Sequence, residues 1–172
     1  MDKATTINLI KETVHKPLNY SDYSETIIRE YTNCYAHAIG STIPDDKGTY
    51  RLGIISGKRK SIFGYSSIEE VKNFFLEDMK TLELGVEELE IFKEELIGNE
   101  KNFIKEKQHI VVLFAEKRRK DMPIMEFHFF RYDTEMGWTE KRYGTISLPV
   151  NTNIGWLDRW PYIQVGIFRI TR

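Results

Sequence analysis

The stretch "PIMEFHFFRYDTEMGWTEK", Pro123 to Lys141, decides the fold class. Aromatic residues crowd both sides of "TEMG", Thr134 to Gly137, which is short enough to be a hairpin connection. Aromatic and β-branched residues fit a pleated, half-buried surface, so two strands joined by a tight turn are expected here. The same character extends outward to "QHIVVLFAEK" (Gln108–Lys117), "WTEKRYGTIS" (Trp138–Ser147) and "YIQVGIFRI" (Tyr162–Ile170). The last third of the chain is therefore expected to form an antiparallel sheet.

Upstream the period changes to that of helices. Thr6 to His15 carries Ile7, Leu9, Ile10 and Val14 at helical spacing before Pro17. "SSIEEVKNFFLEDMKTLEL" opens with two overlapping capping boxes, Ser66 with Glu69 and Ser67 with Glu70, and continues as an apolar stripe expected to stop at Gly85. "VEELEIFKEELIG" is expected to add a second helix closed by Gly98. Helices first and strands afterwards is the α+β order, with N-terminal helices packed on a C-terminal sheet. No repeat or Pro/Gly/Ser-rich linker divides the 172 residues, so one domain is expected over 1–172.

"SETIIREYTNCYAHAIG", Ser24 to Gly40, admits two readings. It is either one helix, or two helices broken at Thr32-Asn33 with the second starting at Cys34. Thr32 and Asn33 are good N-cap types and poor helix-interior residues, which favours the break. The choice matters because only the second reading puts the thiol in a first helical turn.

Lys plus Arg number 25 against 26 Asp plus Glu, so no net field attracts nucleic acid or an anionic membrane. The basic run "KRRK", Lys117 to Lys120, reads as a solvated turn between two apolar segments. A single cysteine excludes an internal disulfide and a cysteine-rich metal site. Nothing resembles a signal peptide, and no stretch approaches the ~18 apolar residues of a membrane span. A cytoplasmic, reducing location is the expectation, with the thiol available for chemistry.

A cysteine nucleophile needs a setting that favours the thiolate, a base, and a group that orients the base. A helix N-terminus supplies partial positive charge for the first. Of the four histidines, His15 lies at a helix end, His37 shares a helix with Cys34 and cannot easily reach round to it, and His109 begins a strand. His128 stands in the middle of the aromatic strand, either as a satisfied core histidine or as the base. Positions paired across the hairpin sum to a nearly constant number, so Glu140 or a close neighbour stands beside His128. A one-residue slip would bring Thr139 or Lys141 there instead.

"NCYAHAIG" followed by "EFHFFRYDTEMGWTEKRYG" resembles a small bacterial and phage-type branch of the NlpC/P60-like, papain-like cysteine hydrolases. That branch carries an "NCYAYAL" motif and a distal "DxHxYRxDxxGxWxHKxG" motif. The resemblance implies a nucleophile at Cys34, a base at His128 and a third residue at Glu140, twelve positions after the histidine. It departs at Glu140, where the motif has histidine, and at His37, where tyrosine is usual.

The function so implied is acyl transfer from an amide bond, as a peptidase, amidase or deamidase acting on a peptide or protein. Tyr35, Phe130 and Trp138 are candidate walls of the substrate cleft. Neither metal nor organic cofactor is implied, and neither nucleic acid nor membrane is an expected partner. The alternative is a catalytically inactive papain-like fold used as a protein-binding module, with Cys34 a buried small hydrophobe. A nucleic-acid-binding protein using Lys117–Lys120 with Phe114 and Phe127 is a further rival that the balanced charge disfavours.

Overall fold

β2 (Gln108–Glu116) is buried at every position from His109 to Ala115. A strand sends alternate side chains to opposite faces, so such a run requires cover on both sides. Val111, Leu113 and Ala115 pack into a large cluster with Tyr35, Phe75, Met79, Phe129 and Phe168. Ile110, Val112 and Phe114 join Leu96, Phe130, Tyr132 and Ile167 in a smaller cluster on the opposite face. The computed structural model describes residues 2–45, 48–59, 64–116, 122–141, 150–151 and 162–172.

β2 is central in an antiparallel sheet ordered β1-β6-β2-β3-β4-β5, in which β1 is Gly85–Glu88, β3 Phe127–Asp133, β4 Gly137–Glu140, β5 Val150–Asn151 and β6 Tyr162–Thr171. The helices α1 (Lys3–Val14), α3 (Cys34–Ile39) and α4 (Ile68–Thr81) supply Ile10, Val14, Ile39, Val71 and Phe75 to the large cluster. The α+β order thus follows the periodicity of the sequence. "KRRK" and the segment 142–147 of the expected third strand lie outside the described residues. No helix among the described residues is long and apolar enough to cross a membrane.

The hairpin turns where expected. Asp133 Oδ1 accepts from the backbone N–H groups of Glu135 and Met136 at 3.1 and 3.0 Å, and Gly137 takes φ 72°, a conformation costly for any residue with a Cβ. The turn fixes the pairs Asp133↔Gly137 through Phe130↔Glu140.

Two expectations from the middle of the chain are corrected. α4 is capped by Ser67, whose side chain accepts from Glu70 N–H, while the Glu70 carboxylate accepts from the N–H of Ser66. The two boxes therefore merge into one cap, and Gly85 does not end this helix. Glu83 takes the left-handed position at φ 59°, and Gly85 begins β1. The second helix expected over "VEELEIFKEELIG" is largely a strand and loop: Gly85–Glu88 pairs with β6, and only α5 (Lys93–Leu96) is helical. Covering the outer edge of β6 outweighs the helical propensity of the glutamates, and Val86 packs against the large cluster as the strand lays it down.

Candidate active site

Asn33 separates two short helices, α2 (Thr26–Tyr31) and α3, so the broken reading of Ser24–Gly40 is the observed one. Its Oδ1 accepts from the N–H groups of Tyr35 and Ala36 at 2.9 and 3.0 Å, and its Nδ2 donates to the Tyr50 carbonyl at 2.8 Å. The asparagine side chain consumes two first-turn donors and its carbonyl a third, that of His37. The N–H of Cys34, at the first helical position, is left over for another acceptor. At the far end Gly40 takes φ 77° and stops the helix after two turns.

Cys34 keeps 7% of its surface exposed and directs its Sγ toward the Phe127 carbonyl at 4.0 Å. Alternation along β3 sends Phe127, Phe129 and Arg131 to the face that α3 covers, and His128, Phe130 and Tyr132 to the other. Strict alternation would therefore part the thiol from the imidazole. They come together all the same near the end of β3, where, among the described residues, the β3–β4 pairing stops at Phe130↔Glu140. There His128 Nε2 lies 2.8 Å from Glu140 Oε2, and Cys34 is near enough to favour charge on the ring. With Nε2 engaged by the carboxylate, Nδ1 is the nitrogen left to meet the sulfur.

Burial opposes charge on the His128 ring, but the hydrogen bonds and charges of Cys34 and Glu140 outweigh it and push its pKa up to about 9. The imidazole keeps 14% of its side chain exposed and Glu140 only 3%. The imidazole's second hydrogen bond therefore goes to a carboxylate shielded from water, where an ionic partner acts most strongly.

The other histidines do different work. His37, wholly buried, hydrogen-bonds Thr139 Oγ1 through Nε2 at 2.9 Å and meets the Tyr23 hydroxyl at Nδ1. Burial first and then the Arg131 guanidinium hold it well below the usual histidine range. His109 donates from Nε2 to the Ala38 carbonyl at 2.8 Å, and His15 Nε2 meets the Leu82 carbonyl at 2.9 Å. Among these three histidines, no hydrogen bond to the thiol is formed.

Two of the three aromatic candidates, Tyr35 and Phe130, do not wall an open cleft. Tyr35 is fully buried, stacked on Phe129 at 5.3 Å with its hydroxyl donated to Asp78. Phe130 is equally buried, edge-on to the His128 ring at 5.1 Å, and so supports the base from behind. Trp138 packs on Tyr132 and donates its indole N–H to Glu100 at 2.7 Å, close to the turn. Their aromatic character marked them, and burial, which a short motif does not report, reassigns Tyr35 and Phe130 to packing.

Sequence reasoning gave no role to two basic residues that hold the site together. Arg131 is buried, pairs with Asp133 at 3.1 Å and donates to the carbonyls of His37 and Ala38, closing the C-terminal turn of α3. Lys141, also buried, donates to the Thr32 carbonyl at 2.8 Å. A charged residue at alternate positions of an otherwise apolar or β-forming run was the available sign of both. No protein-family model, curated protein or solved structure matches this chain.

Proposed function

We propose that the protein is a cysteine-dependent hydrolase or acyl transferase acting on an amide bond, built on a papain-like, NlpC/P60-like core. The observation that carries the reading is the joined set Cys34, His128 and Glu140, with the thiol at a helix start and the carboxylate 2.8 Å from the imidazole. In this reading His128 holds the thiol proton, and the Cys34 sulfur attacks the acyl carbon. The tetrahedral oxyanion accepts the Cys34 N–H, and the imidazolium then protonates the departing amine. Water, deprotonated by the neutral imidazole, attacks the thioester and releases the acid and the thiol. Glu140 holds the ring orientation and stabilises its charged form throughout. A peptide or protein amide encountered in the cytoplasm is the substrate class proposed.

The test is an electrophilic thiol probe read by intact mass, followed by a screen of dipeptide, muropeptide and glutamine-containing substrates. Wild type is expected to label and to turn over at least one amide. Cys34→Ala and His128→Ala are expected to lose turnover while remaining folded. A folded wild type whose thiol resists the probe belongs instead to a binding module on the same fold.

A further inference from the structure

Away from Cys34, at the C-terminal end of α3, polar groups from three strands gather under one glycine. Arg131 Nη1 and His109 Nε2 both meet the Ala38 carbonyl, at 3.2 and 2.8 Å. Arg172, just past β6, is tied to the start of β2 by its N–H, which donates to the Lys107 carbonyl at 3.2 Å. The place that a Cβ on Gly40 would take lies 3.1 Å from Arg131 Nη1 and 3.4 Å from Arg172 Nη2. Two guanidiniums therefore converge on the bare end of one helix.

Their partners are unevenly shared. Arg131 donates to Asp133 and to the carbonyls of His37 and Ala38. The Arg172 side chain makes no hydrogen bond or ion pair among the described residues, and its Nε–H is buried. A carbonyl can only accept, so the proton of His109 is on Nε2 and its Nδ1 is a bare lone pair. That atom is also buried and without a partner. Native structures rarely leave such groups unpaired, and here a donor and an acceptor are left together. We propose that Arg172, Arg131 and His109 form a binding site for inorganic phosphate, with its oxygens on the guanidiniums and its own O–H donated to His109 Nδ1.

The chemistry selects this ion. Water could satisfy both orphan atoms, but only an anion also offsets the paired guanidiniums. Burial and then Arg131 pull the Arg172 pKa down to about 10, against the opposing charge of Asp133. Asp133 is already committed, accepting from Arg131 Nε, the Tyr20 hydroxyl and two N–H groups of the hairpin turn. The α3 carbonyls that would repel an anion are bonded to Arg131, His109 and the Gly40 N–H. Among oxyanions at neutral pH, carboxylates and sulfate have no proton to give Nδ1, whereas inorganic phosphate keeps one. Arg172 is half-buried and gives the site its opening to solvent. The site lies apart from Cys34 and does not rest on the hydrolase reading.

The experiment is nitrogen-15 NMR of the arginine side chains, with urea unfolding alongside, as phosphate, sulfate, methyl phosphate or acetate is added at neutral pH and matched ionic strength. Phosphate is expected to move the Arg172 Nε–H signal to saturation and to raise the unfolding midpoint. Sulfate, and methyl phosphate, which has largely lost its second proton at neutral pH, should each need about tenfold more to do so. Arg172→Gln is expected to weaken phosphate binding by about tenfold or more. An Arg172 signal that ignores phosphate overturns the proposal, and that measurement needs no variant to fold. So does Arg172→Gln binding phosphate as tightly as wild type. Sulfate, methyl phosphate or acetate saturating the site at the phosphate concentration would also overturn it, because the O–H to His109 would then select nothing.

Discussion

His128 is where three influences meet, and their balance sets its charge. Burial disfavours the imidazolium, while Glu140 and Cys34 favour it enough to carry its pKa to about 9. The ring is then charged at neutral pH and can hand a proton to a leaving amine without first acquiring one. Glu140→Gln keeps a hydrogen-bonding partner at Nε2 and removes the negative charge. The expected result is a lower His128 midpoint by NMR and a tenfold to hundredfold loss of turnover, about 1.4–2.7 kcal/mol. An unmoved midpoint would take Glu140 out of the site. The same shift has a stability consequence. Because the folded pKa is raised above the ordinary histidine value of 6.5, the interaction contributes fully below that value and is lost as pH rises through about 9. The urea-unfolding gap between wild type and His128→Gln should therefore be wide at pH 6 and narrow by pH 9.5.

Short helices hold this site, so their caps matter more than their propensities. α3 has six residues, too few to persist alone, and Asn33 supplies two of its first-turn bonds. Asn33→Ala is expected to cost about 1 kcal/mol by urea unfolding, with Asn33→Ser recovering most of it. Equal stability of all three proteins would mean that tertiary packing alone holds the thiol. The break at Asn33 was legible in the sequence because a short polar side chain at that point competes with the helix and completes a cap. The hairpin was legible for the same kind of local reason, a short turn ending in glycine, but its register was not: Glu140 lies across from Phe130 and reaches His128 on the diagonal. What was not legible depends on partners far along the chain. β1 is a strand because β6 needs an edge partner, and glutamate-rich composition carries no trace of that. Strand alternation alone hides the approach of His128 to Cys34, because it sends the imidazole to the face opposite α3. Tyr35 and Phe130 looked like cleft walls because aromatic type was visible and depth was not.

Across the whole molecule, α3 is pinned at both ends by buried charge, Lys141 near its start and Arg131 at its finish, with one neutral histidine, His37, within it and another, His109, beneath its last turn. His37 and His109 are wholly buried near Arg131, and each is pushed well below the usual histidine range, by burial first and by that guanidinium next. His109 spends its one proton on the Ala38 carbonyl, and its Nδ1 has no hydrogen-bond partner among the described residues. Protonating it would place a second charge beside Arg131 and Arg172 with no acceptor to receive it. Below about pH 6.5 the unfolded chain binds protons at these two positions that the folded chain refuses, so stability must fall as pH falls. Each fully depressed histidine contributes a slope of about 1.4 kcal/mol per pH unit, roughly 2.7 for the pair. His128 adds nothing in that range, since it is protonated in both states. Urea unfolding of the wild type between pH 5.0 and 6.0 should approach this slope, and His109→Gln, which can still donate to Ala38, should approximately halve it. A slope unchanged by that substitution would mean that His109 takes up its proton in the folded state, with Arg131 or Arg172 moving aside to admit it.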